Sequence, residues 1–204
     1  MRFFRGSLSE PGRGRKVFAA LLLNLILFSL VGATFYYQDL RYARPTPVPQ
    51  GYVPPSKGVV IPVGEPGKLT LLCFAQPDCP CTRFNQDHLE ALANEFGSKV
   101  KIVEVVEAAD AGGLRSPGTI ELDPSGFIAK QCGVYSTPQA VILGPNGQIL
   151  YRGNFNAGRY CANSATEFVR IALEALVSNQ PVPIMPQSAL VPYGCAIGSW
   201  GASK

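Results

Sequence analysis

Apolar and polar positions divide the chain into one long unbroken apolar run near its start and a set of short periodic ones much later. From Val17 to Tyr37 there is no charge, and only Asn24, Ser29 and Thr34 are clearly polar. Twenty-one helical residues reach about 30 Å, the thickness of a bilayer's hydrocarbon core. The later runs are short. "KLTLLCF" (68–74) is nearly continuous, as in a strand buried on both faces. "TRFNQDHLEALANEF" (82–96) places Phe84, Leu89, Leu92 and Phe96 at helical spacing. "KVKIVEVV" (99–106) alternates and is β-branched, so it reads as a strand.

Three further segments complete the pattern. "DPSGFIAKQCGV" (123–134) opens with Asp at an N-cap and Pro at the first helical position, although Gly126 weakens the helix. "QAVILGPNGQILYRG" (139–153) is two apolar runs around Asn146-Gly147, a hairpin signal. "SATEFVRIALEALVSN" (164–179) starts on the box Ser164…Glu167 and carries Phe168, Ile171 and Leu176 on a helical stripe. The predicted order is β-α-β-α-β-β-α, an α/β architecture with a mixed sheet flanked by helices and preceded by one transmembrane helix.

Charge changes the picture only at the start. The formal net charge of +4 is carried by the first 16 residues, where Arg2, Arg5, Arg13, Arg15 and Lys16 face Glu10 alone. The remainder is neutral overall, which leaves little support for a nucleic-acid partner. A basic cluster before an apolar run marks the near side as cytoplasmic, and Phe35, Tyr36 and Tyr37 form an aromatic belt at the far side. The reading favours an uncleaved anchor in the inner (plasma) membrane, single-pass, with the soluble part periplasmic or otherwise extracytoplasmic. Its competitor is a cleaved signal peptide, with small residues at "VGA" (31–33). Between Gln38 and Pro66 lie seven prolines, as expected of an extended stalk, within which "GVVIPV" could add an edge strand. The domain boundaries read as a basic cytoplasmic segment (1–16), an anchor (17–37), a stalk (38–66), an α/β domain (67–180) and a tail (181–204).

Export bears on the six cysteines, Cys73, Cys79, Cys81, Cys132, Cys161 and Cys195, since thiols in an oxidising compartment pair or are kept reduced. Six cysteines allow fifteen complete pairings. The candidate chemistry lies in "PDCPCTRF" (77–84). Pro80 suits the first helical position and pushes Cys79 out of helical conformation, making Cys79 the N-cap. Its sulfur then lies near the free N–H groups of Cys81 and Thr82, where a helix N-terminus favours the thiolate. Cys79 is the expected nucleophile and Cys81, inside the first turn, its expected resolving partner. In a regular helix their side chains leave the axis about 200° apart, so a bond between them needs a turn-like segment and would be strained and labile.

With a cysteine site at the first strand-to-helix junction and "STPQA" before a hairpin, the chain resembles the thioredoxin fold over about residues 66–180. The likeness is carried by "FAQPDCPC" and by "CGVYSTP" (132–138). Within that superfamily it looks most like the membrane-tethered redoxin (AhpC/TSA-like) proteins, to which "YRG" (151–153) and the Gly-Cys-x-Ile of residues 194–197 are similar. The resemblance implies that Thr137-Pro138 is a cis bond facing the cysteines, presenting backbone to a bound peptide. It implies a thiol–disulfide oxidoreductase that exchanges disulfides with exported proteins and needs no cofactor. The spacing departs from the family, whose usual motif has two residues between its cysteines where this chain has one.

Two alternatives stay open. A Cys-x-Cys pair could hold Cu(I) in a metal-delivery module, although His88 and Met185 are not near it in sequence. The redoxin likeness also suggests a thiol peroxidase, but Gln76 stands where those families carry a threonine, while Arg83 or Arg152 could supply the cation. Cys73 reads as a small core residue, and Cys132 should fall in the neighbourhood of the site. Cys161 and Cys195 either bridge the tail to the domain, or Cys195 is a mobile second resolving thiol. His88 lies about 10 Å along the helix from Cys81, too far to act on the thiols, and reads as a partly buried, satisfied histidine.

Overall fold

A computed structural model describes residues 12–56, 58–107, 113–161 and 163–200. Most of the basic N-terminal segment, including Arg2, Arg5 and Glu10, lies outside the described residues. The chain divides into two compact units at Arg41/Tyr42.

The first unit is helix α1 (Arg13–Phe35), continued by a π-helical turn at Tyr36–Leu40. At 1.5 Å per residue its 23 residues span about 34 Å. It is long and apolar enough to cross a membrane. Two of its polar side chains are answered within the helix: Asn24 Nδ2 donates to the Ala20 carbonyl and Thr34 Oγ1 to that of Leu30. That internal pairing suits a lipid environment, where no water is present to satisfy polar groups.

The second unit is built on a five-stranded sheet in the order β3-β2-β1-β5-β6, with strands β1 (Leu69–Phe74), β2 (Val100–Val106), β3 (Thr119–Leu122), β5 (Gln139–Leu143) and β6 (Ile149–Gly153). β1, β2 and β3 run parallel, whereas β5 is antiparallel to both β1 and β6. Side-chain alternation divides β1 between two cores. Leu71 and Cys73 face helices α2 (Pro80–Phe96) and α4 (Phe168–Val177), meeting Leu89, Leu92, Phe168 and Leu173. Leu72 and Phe74 face the opposite layer, with α3 (Phe127–Cys132), Val134 and Ile61. A mixed sheet with helices on both faces, and a cis bond at Thr137-Pro138 before β5, is the thioredoxin-like arrangement expected from the sequence.

Several local expectations are corrected. The helix predicted from Asp123 starts only at Phe127, because Gly126 takes φ +65° and Asp123 Oδ2 accepts instead from the Ala129 N–H. Ser164 and Glu167 form no capping box. Asn163 accepts from the Ala165 N–H at the head of a 3₁₀ turn, and Glu167 pairs with Arg170. β3 was not foreseen: all four of its residues are exposed, so it carries no apolar alternation. "GVVIPV" makes a single bridge, Val60 to Gln148. Nor is the Pro-rich segment a free spacer throughout: Pro45 bridges to Tyr193, and Tyr52 donates to the Gly133 carbonyl.

His88 is buried between α2 and α4, with Nδ1 3.9 Å from Glu167 and Phe155 against its ring. Its Nε2 has no hydrogen-bond partner, so the ring is buried but not the satisfied histidine expected. Burial first, then the Arg170 charge, lower its pKa to about 4. Between pH 6.5 and about 4 the unfolded chain therefore binds the proton that the folded chain refuses, and stability falls as pH falls through that window. Denaturant titrations near pH 5 are expected to report uptake of about one proton on unfolding that is absent in His88→Asn.

Candidate redox site

β1 ends at Phe74, and Ala75 still donates to the Val105 carbonyl. The next three residues turn the chain into α2. Cys79 is the N-cap in extended conformation (φ −79°, ψ 118°), with Pro80 in the first turn, as the sequence predicted. The turn is fixed by Gln76, whose N–H donates to Thr82 Oγ1 and whose carbonyl accepts from the Cys79 N–H. The Gln76 side chain accepts from Thr137 Oγ1 and donates to Glu107. It therefore links the cysteine turn to the cis-proline segment. Arg152 is turned away, donating to the Cys132 and Gly133 carbonyls.

Opposite Cys79 lies the two-residue strand β4 (Ser136–Thr137). The Cys79 sulfur is 3.5 Å from the Thr137 carbonyl oxygen. Along β4 runs a strand the sequence did not announce, β7 (Cys195–Ala196), antiparallel and registered with Thr137 against Cys195. The ladder is extended by the Ile197 N–H donating to the Tyr135 carbonyl. On its other side the tail receives the Thr46 N–H at the Pro192 carbonyl, and Ser136 Oγ donates to the Tyr193 carbonyl. This pairing delivers Cys195 to Cys79, and the two form a disulfide with α-carbons 6.1 Å apart.

The expected Cys79–Cys81 bond is thereby corrected. The helix begins at Pro80, so successive side chains leave its axis in divergent directions. Cys79 faces β4 and β7, whereas Cys81 is fully buried beside Arg159 and near Cys161. The alternative Cys161–Cys195 bridge is not formed either: Cys161 is free, and its sulfur lies 3.2 Å from Asn85 Oδ1. Cys73 is a core residue on β1, and Cys132 is buried against α3's own side of the sheet.

Burial pushes the Cys132 and Cys161 thiols up to about 12 and the Cys73 thiol well above its ordinary value. The Cys81 thiol is raised too, by burial acting against the pull of the Arg159 guanidinium. A thiol held protonated is a poor nucleophile. Among the six cysteines, only Cys79 combines a helix N-terminus with a bonded partner. Among the described residues no three His, Cys, Asp or Glu side chains are grouped as a metal site.

The family model described as "Domain of unknown function (DUF6436)" matches residues 56–196, more than half of the chain. The chain belongs to the DUF6436 family. The matched region includes all six cysteines, and α1 precedes it. Comparison with curated proteins returned no significant match. Among solved structures the chain is similar to an uncharacterized conserved protein from Geobacillus kaustophilus, at 23% identity and TM-score 0.53, covering 74% of this chain and 91% of that one. A hypothetical protein from Sinorhizobium meliloti is similar at 20% identity and TM-score 0.54, covering 67% and 82%. A secreted Mycobacterium tuberculosis disulfide oxidoreductase overlaps more narrowly, at 25% identity and TM-score 0.36, covering 41% and 67%. These likenesses concern fold.

Sequence reasoning missed Glu107, whose contacts join distant segments; it offered Cys195 as a second resolving thiol beside a Cys161–Cys195 bridge, and the bond formed is Cys79–Cys195.

Proposed function

We propose that this DUF6436 protein is a membrane-anchored, exported thiol–disulfide oxidoreductase whose redox couple is Cys79 and Cys195. The observation that supports it best is the bond between a helix-N-terminal cysteine and a cysteine on a strand laid along the cis-proline segment. In this reading the basic end of α1 stays cytoplasmic and the thioredoxin-like domain works outside, on thiols or disulfides of exported proteins. Thr137 and Pro138 shape the site beside the nucleophile, and Cys81 is a buried neighbour that takes no part in exchange.

The chemistry balances without a further cofactor. In the reduced protein the Cys79 thiolate, favoured by the α2 N-terminus, attacks one sulfur of a partner disulfide. A mixed disulfide forms, and the partner's other sulfur leaves as a thiolate. Cys195, as thiolate, then attacks Cys79 Sγ, expelling the second partner thiol and forming Cys79–Cys195. Two electrons pass to the partner, and the reverse sequence oxidises a partner dithiol.

The test uses the full chain in detergent. Reduced protein mixed with glutathione disulfide is expected to release two glutathione thiols for each Cys79–Cys195 bond formed. Glutathione disulfide left unconsumed, with both cysteines still free, would remove the proposal.

A further inference from the structure

The tail does not end its contacts at Cys195. Beyond β7, Ile197 enters the apolar layer beside Phe74, Val105 and Ala129. The next turn is held by one carboxylate: Glu107 Oε2 accepts from the Gly198 N–H at 3.0 Å, and Oε1 accepts from the Ser199 N–H at 2.7 Å. Trp200 Nε1 donates to the Val134 carbonyl at 2.7 Å, and its ring packs against Tyr52. Glu107 also receives the Gln76 side-chain amide at 3.2 Å, and Gln76 accepts from Thr137, the residue registered against Cys195. One side chain thus connects the far end of the tail to the segment on which the near end lies.

We infer that Glu107 is a positioning residue, holding the tail so that Cys195 stays beside Cys79 even when the disulfide is open. None of the Glu107, Ile197 or Trp200 contacts involves sulfur, so reduction removes none of them. They confine the Cys195 thiol and raise its effective concentration at Cys79, in the way a short tether does for a second binding step. The inference rests on the proposed couple and adds to it: the poise of that couple is set from outside the cysteines. Exchange with glutathione balances as protein disulfide plus two glutathione thiols giving protein dithiol plus one glutathione disulfide. Loosening the tail favours the right-hand side.

The experiment equilibrates full-length protein in detergent with graded glutathione buffers and quantifies the Cys79–Cys195 bond by alkylation and mass mapping. In Glu107→Gln one acceptor oxygen becomes an NH₂ group, setting donor against donor at the tail N–H groups or at Gln76. The equilibrium constant for reduction is expected to rise about 10-fold, or about 30 mV in potential. Trp200→Phe, which loses the indole donor but keeps a ring, is expected to shift it in the same direction. In a Cys195→Ser background, Glu107→Gln should leave the rate at which Cys79 attacks glutathione disulfide unchanged. Equal reduction constants in wild type and both variants would overturn the inference alone. A change in the Cys79 attack rate would overturn it too, showing that Glu107 acts on the nucleophile. A wild-type bond that never exchanges with glutathione would instead remove the proposed couple itself.

Discussion

Cys79→Ser is expected to abolish exchange with glutathione disulfide, slowing it on the order of 1,000-fold or more, because a hydroxyl cannot replace a stabilised thiolate. Cys195→Ser should behave differently. Cys79 remains at the α2 N-terminus in that variant and still attacks, but nothing resolves the product, so a glutathione adduct accumulates on Cys79. Cys81→Ser should change little. Its thiol is fully buried, unbonded, beside the Arg159 guanidinium and raised in pKa by that burial. The three variants together separate attack from resolution and assign the second role to Cys195. Intact-mass kinetics on each variant provides the check. Rapid resolution in Cys195→Ser that is lost in Cys81→Ser would restore the adjacent pair.

The second large effect is expected at Gly194. Its φ of +109° is a conformation that side-chain-bearing residues rarely adopt. A Cβ there would lie 2.2 Å from the Thr137 carbonyl oxygen, the backbone against which Cys195 is registered. Gly194→Val therefore cannot keep β7 on β4. With the strand displaced, the Cys195 thiol loses its confinement, and the equilibrium constant for forming the disulfide should fall on the order of 100-fold. Both cysteines should then alkylate readily in mild reductant, while the Cys79 attack rate stays near wild type. The sheet and α2 lie elsewhere, so far-UV circular dichroism should be preserved. Wild-type resistance to alkylation in Gly194→Val would contradict the assigned role of β7.

What could be read in advance was local. The continuous apolar run of β1, the helical stripe of Leu89, Leu92 and Phe96, and the Asn146-Gly147 turn each carry their signal within a few residues. The N-cap position of Cys79 follows from Pro80 alone. Thr137-Pro138 was found through resemblance, and its cis bond is present. What escaped was either short or remote. β4 and β7 have two residues each, too few for any periodicity, and their pairing joins segments 58 residues apart at Thr137 and Cys195. The disulfide closes a separation of 116 residues, and spacing cannot choose among fifteen pairings. Glu107 looked like any charge at a strand end until the tail folded onto it. The proximity of Cys79 and Cys81 in sequence misled because adjacency along a helix start is not adjacency of side chains.

A redox titration of the full chain, with peptide mapping of every cysteine, decides whether Cys79 and Cys195 form a reversible couple. Protein in detergent would be equilibrated across graded glutathione buffers, quenched with acid, alkylated and digested. One reversible transition is expected, in which the peptides holding Cys79 and Cys195 are joined on the oxidised side and separately alkylated on the reduced side, while Cys73, Cys81, Cys132 and Cys161 stay unlinked throughout. Cys79 joined to Cys81, or no transition linking Cys79 to any partner, would contradict it.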